Sequence, residues 1–138
     1  MNEQQKANLI KLAIGLADPA LVKKYNLYFD MEDYTCRSSA CAIGFGPLLV
    51  GERKNCEFSH WEKYSDRVFG QTAWSDLGFW MFASTWADVD NTPKGAAARI
   101  LYALEYGVPY SNYDYSVMKE YQADAYKQFD RLLKEAQQ

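Results

Sequence analysis

The chain has 138 residues, with 15 Lys plus Arg against 18 Asp plus Glu and a formal charge of −3. A hydrophobic content of 49% with 24% charged residues excludes a disordered chain, and the length favours a single core over two, giving one domain over residues 1–138. Slight acidity (pI about 5.1) offers no basic patch for nucleic acid or an anionic bilayer, so neither is expected as a partner, and the charge is too small for a DNA mimic.

Met1–Lys6 lacks the charged start and apolar stretch of a secretory signal, and no apolar run approaches a membrane span. Three cysteines (Cys36, Cys41, Cys56) are an odd number for a closed disulfide framework, so a reducing cytoplasm is the expected location.

The spacing of Leu9, Leu12, Ala13 and Leu16 predicts a first helix over about Glu3 to Ala17. Asp18-Pro19 restarts the chain, with a short helical turn through Leu21-Val22. Leu27, Phe29 and Met31 alternate with polar or amphipathic residues, as a short extended segment near residues 27–31 would. Ser38-Ser39 suggests the cap of a helix from Ala40, rich in small residues, and Gly51–Asn55 reads as a loop. Ser59 and Glu62 have capping-box spacing for a helix from His60 to Val68, closed by Gly70. Trp74–Trp86 is apolar nearly all round and reads as one central buried helix. Thr92 as N-cap, Pro93 as first helical residue and Gly107 as stop bound the next helix. Met118, Tyr121, Ala125, Phe129 and Leu132 stripe a last helix over Ser116–Ala136, with Asp130 and Lys134 four apart on its exposed face. The fold expected is a mainly α, single helical domain of five to six helices with that one short extended segment.

All three cysteines and the sole histidine fall between positions 36 and 60, as Cys-x4-Cys-x14-Cys-x3-His. Cys36, Cys41, Cys56 and His60 together offer zinc four acceptable ligands, although the first gap is longer than the two residues of a zinc knuckle. Zinc is the one cofactor this pattern suggests. Cys41 near a helix start could also act as a nucleophile, with His60 as base oriented by Asp66 or Asp76. A cysteine between two alanines is equally well a buried packing residue. The pairs Asp88/Asp90 and Glu32/Asp33 read as solvated loop carboxylates, with Asp90 favourably placed before a helix start. Gly44-x-Gly46 lacks the lysine and further glycine of a phosphate loop, and Lys94-Gly95 near a helix N-terminus is at most a weak anion attractor.

The 4 Trp, 11 Tyr and 7 Phe exceed what most small cores require. Tyr110, Tyr113 and Tyr115 crowd a turn with Ser, Asn and Asp between them, a composition that suits either a protein-contact surface or packing of the last helix.

Phe29-x-Met31, Cys36-x4-Cys41-Ala42-Ile43-Gly44, Phe69-Gly70, Trp86 and Asn91-Thr92-Pro93-x-x-Ala96-Ala97-x-Arg99-Ile100 occur in that order. Over about residues 27–109 the chain thereby resembles a family of uncharacterised small proteins from phage, prophage and bacterial genomes. It departs at Arg37-Ser38, where the family has Gly-Thr, and at Phe45, where Trp or His is common. The resemblance implies a phage-type origin and no particular activity. It also implies that Cys36 and Cys41 belong together in a paired or structural role. The expectation is a small binding protein of the host cytoplasm that contacts a host or defence factor, with a homo-oligomer an open possibility. A Cys41–His60 hydrolase or transferase and a zinc domain are the alternatives.

Overall fold

The computed structural model describes residues 1–32, 39–51, 58–109 and 114–138, and for 39–40 and 58–60 only the backbone. Helix α1 spans Glu3–Leu16, α2 Leu21–Tyr25, α3 Gly46–Val50, α4 Phe58–Phe69, α5 Asp76–Phe82, α6 Pro93–Tyr106 and α7 Tyr115–Ala136. A 3-10 turn covers Ser84–Asp88, and strands β1 (Tyr28–Phe29) and β2 (Ser39–Ala40) pair in parallel, Tyr28 opposite Ser39 and Phe29 opposite Ala40. The mainly helical fold is as expected, with seven α-helices among the described residues because α2 and α3 are separate single turns.

Helix α6 is the centre. Gly95 to Leu101 are buried without interruption, and the run Ala96-Ala97-Ala98 keeps the helix narrow enough for α1, α5 and α7 to pack around it. Thr92 caps it as expected, its hydroxyl accepting from Gly95 N at 3.0 Å, with Pro93 at the first position. Gly107 ends it at φ +77°, a left-handed value that a side chain would strain.

Helix α1 begins with a capping box between Asn2 and Gln5 and buries Leu9, Leu12, Ala13 and Leu16, the stripe its spacing predicts. Two of its polar side chains finish another helix. Asn8 donates to Val68 O at 2.8 Å, and Gln5 donates to Asp66 O and Arg67 O at 3.4 and 3.3 Å, satisfying carbonyls at the end of α4.

Three local expectations are corrected. Ser39 and Ala40 pair with β1 instead of opening a helix, and Ala42–Phe45 form turns before α3 starts at Gly46. Ser59 lies inside α4, one residue after its start, so it does not cap it. Trp74–Trp86 is not one central helix. The Ser75 hydroxyl accepts from Gly78 N at 3.2 Å and starts α5 after Trp74, and Ala83 is extended (ψ 141°) and separates α5 from the 3-10 turn. Trp74 consequently stands 79% exposed, its indole N–H donating to Glu62 at 2.8 Å.

Candidate functional site

The loop Asp90-Asn91-Thr92 ahead of α6 ties four elements together. Met31 N donates to Asn91 Oδ1 at 2.8 Å, and Asn91 Nδ2 donates to Asp30 at 3.2 Å, fastening the segment after β1. The Asp90 carboxylate accepts from Thr92 N and Oγ1 and from the Tyr126 hydroxyl of α7. Arg99 Nη1 donates to Asp90 O at 3.2 Å and to Gln122 Oε1 at 2.6 Å, and Gln122 Nε2 in turn donates to Gly95 O at 3.3 Å.

Arg99 is wholly buried, with its guanidinium 4.5 Å from the centre of the Trp86 ring. Its Nε and Nη2 find no hydrogen-bond partner among the described residues. Burial pushes its pKa down to about 10, with the nearby Asp90 charge acting in the opposite direction. Asn91, Thr92, Pro93, Ala96, Ala97 and Arg99 of the sequence motif thus act as a structural joint, with Trp86 supplying the ring beneath the cation.

The second site is a cleft of about 380 Å³ between the C-terminal end of α6 and the first turns of α7, lined by Tyr102, Tyr106, Gly107, Val108, Pro109, Val117, Glu120, Tyr121 and Asp124. Tyr102 packs on Tyr106 with centroids 4.7 Å apart and planes tilted by 36°, and meets Tyr121 edge-on at 5.0 Å and 89°. Tyr121 is anchored by donating to Gly107 O at 3.1 Å, and its ring packs on Trp80 and Trp86. Tyr106 is 51% exposed, and its hydroxyl accepts from Arg131 Nη2 at 2.5 Å. Burial raises the Tyr102 phenol above its usual pKa, and the Asp124 charge raises it further. Burial likewise raises Tyr121 strongly, with Tyr102 adding to the shift.

Of the residues the sequence singles out, Cys41 is 2% exposed, directly after β2 and five residues before α3 rather than at a helix start. A thiol there meets substrate only if the surrounding structure opens. Cys36, Cys56 and the His60 side chain lie outside the described residues, and with them the zinc quartet and the Cys41–His60 pair. Among the described residues no three metal-ligating side chains converge. Asp66 and Asp76 are both exposed. Asp90 is tied into the joint, whereas Asp88 accepts from the Tyr115 hydroxyl at 2.9 Å. Glu32 is exposed and Asp33 lies outside the described residues. At the start of α6, Gly95 N is taken by Thr92, and Lys94 leans over the rings of Tyr126 and Phe129 at 5.8 and 5.6 Å. Tyr115 opens α7 with 46% exposure, and Tyr110 and Tyr113 lie outside the described residues.

The cleft's own residues were missed. Their signal was present: Tyr102/Tyr106 and Glu120/Asp124 are both spaced four apart, which puts each pair on one helix face, and two carboxylates so placed repel.

Fold and site together define a helical domain with a buried polar joint on one side of α6 and an aromatic, acidic cleft at its end. No family model, curated protein or solved structure matches the chain. No helix among the described residues is long and apolar enough to cross a membrane.

Proposed function

We propose that this is a binding protein, which docks a protein partner at the α6–α7 cleft. The observation carrying the reading is the tyrosine lining itself: three tyrosines with Val108, Pro109 and Val117 around a space of about 380 Å³, with Glu120 and Asp124 among the lining residues. Tyrosine is enriched at interfaces because it offers a large amphipathic ring at low conformational entropy, and the volume falls within the ~300–1,000 Å³ of typical binding clefts. Tyr115, 46% exposed at the start of α7, is the one described member of the tyrosine turn that the sequence suggests as a contact surface. The phage-type origin and host-cytoplasm setting rest on the motif resemblance, and a host or defence factor is the partner that setting supplies.

Selection of a random peptide library on the immobilised protein tests the docking. Enriched peptides should bind wild type, lose binding to Tyr106→Ala and Glu120→Arg, and keep binding to Tyr28→Ala and Trp74→Ala, two exposed aromatics not among the cleft's lining residues. Failure to enrich peptides, or equal binding by the Tyr106→Ala and Glu120→Arg proteins, refutes it.

A further inference from the structure

We infer that the α6–α7 cleft is selective for an organic cation, the guanidinium of an arginine side chain presented by the partner. Three features of the cleft share one electrostatic sign. The faces of tyrosine rings carry the negative part of the aromatic quadrupole, and the partly exposed Tyr102 and the half-exposed Tyr106 line the space, while Tyr121 is buried against Trp80, Trp86 and Tyr102. Glu120 and Asp124 stand one turn apart on α7 and both line the space. The cleft also lies at the C-terminal end of a 14-residue helix, the negative pole of its dipole, and the last turn of α6 carries no basic residue to neutralise it. The opposing positive pole, at the start of α7, is capped by the Asp114 carboxylate, which accepts from Ser116 N at 2.9 Å.

The molecule's own cations leave this charge largely uncompensated. Among the described residues no Lys or Arg lines the cleft. Arg131 reaches the Tyr106 hydroxyl but is held by Glu135 through two bonds of 3.0 and 3.1 Å. Lys127 approaches Asp124 only to 3.8 Å, as an exposed pair that water and salt screen. Guanidinium suits the geometry better than ammonium. It is planar and stacks on a ring face while its N–H fork addresses a carboxylate, and the chain itself places the Arg99 guanidinium over the Trp86 ring at 4.5 Å.

The inference rests on the docking reading, and its test uses a small probe so that the two fail separately. Acetyl-arginine amide is titrated into ¹⁵N-labelled protein beside acetyl-citrulline amide, a near-isosteric neutral control. The arginine probe should move the amide signals of Gly107, Val117, Glu120 and Asp124, with affinity at least about tenfold above that of citrulline. Asp124→Asn, which keeps the side-chain shape, should remove most of that preference, and added salt should weaken it. Equal affinity for the two probes, or arginine shifts confined to other surfaces, overturns the inference. Selected peptides that occupy the cleft without any arginine or lysine would overturn it as well, while leaving docking intact.

Discussion

Replacing Gly95 with alanine should unseat the Asp90 carboxylate. A Cβ at position 95 would lie 2.2 Å from Asp90 Oδ1, 2.5 Å from its Cγ and 3.0 Å from the Tyr126 hydroxyl. The first two separations are too short for any real contact, so the carboxylate must move away from α6. Moving it breaks or weakens three hydrogen bonds, from Thr92 N, Thr92 Oγ1 and Tyr126. Bonds to a charged group contribute about 1.5–3 kcal/mol each, so losing two removes about 3–6 kcal/mol. Alanine returns up to about 1 kcal/mol through its better helix propensity. The net loss is about 2–5 kcal/mol, which at this chain length is a fall in Tm of about 8–20 °C. Urea denaturation of four proteins (wild type, Gly95→Ala, Asp90→Ala and the double variant) measures it. With Asp90 already truncated, the added methyl meets only the Tyr126 hydroxyl, which has lost its Asp90 partner and can turn aside, so Gly95→Ala should then be neutral or stabilising. A change of sign between the two backgrounds is the expected result. Stability unchanged by Gly95→Ala in the wild-type background, or additive losses in the double variant, would refute the reasoning.

Three further outcomes are expected. Arg99→Ala leaves Gln122 Oε1 and the Asp90 carbonyl without their donor and a void on Trp86, and should lower stability by about 3–5 kcal/mol in urea; an unchanged midpoint would show the joint to be dispensable. The Tyr121 phenol has its pKa raised above 10.0 by burial, so the folded state retains a proton that the unfolded chain releases, and stability is lost as pH rises beyond about 10. Arg99, lowered by burial to about 10, acts with the opposite sign above that pH, so the measured quantity is the stability difference between wild type and Tyr121→Phe, which should shrink from pH 9 to pH 11. A pH-independent difference excludes that phenol. Cys41, only 2% exposed, should react with a thiol probe only at the rate at which the structure opens, accelerating with denaturant; peptide mapping after labelling separates it from Cys36 and Cys56, and rapid native labelling of Cys41 would revive the nucleophile.

The sequence made the helices with local punctuation legible. Thr92, Pro93 and Gly107 bound α6 through interactions within a few residues of each terminus, and the stripes of α1 and α7 repeat regularly. Trp74–Trp86 was opaque for a physical reason: with buried residues on both sides of Ala83, apolar content carries no mark of a break. The buried joint was legible only as an anomaly. Arg99 sits between Ala98 and Ile100 in an otherwise apolar stretch, but its partners Asp90 and Gln122 lie on a preceding loop and on α7, and only the packing of α6 on α7 brings all three together. The cleft was harder still, since its walls come from two helix faces whose meeting no local pattern encodes.

The position of α1 has a consequence for the order in which a growing chain reaches its final form. Its apolar stripe is covered by α3, α4, α6 and the end of α7, and α6 is the most extensive of these neighbours. While the ribosome is still translating the middle of the message, Leu9, Leu12 and Leu16 therefore have only part of their cover. Helix α1, made before α6, is sealed only after α6 has emerged, and a nascent chain stalled before Pro93 exposes the greasy face that chaperones bind.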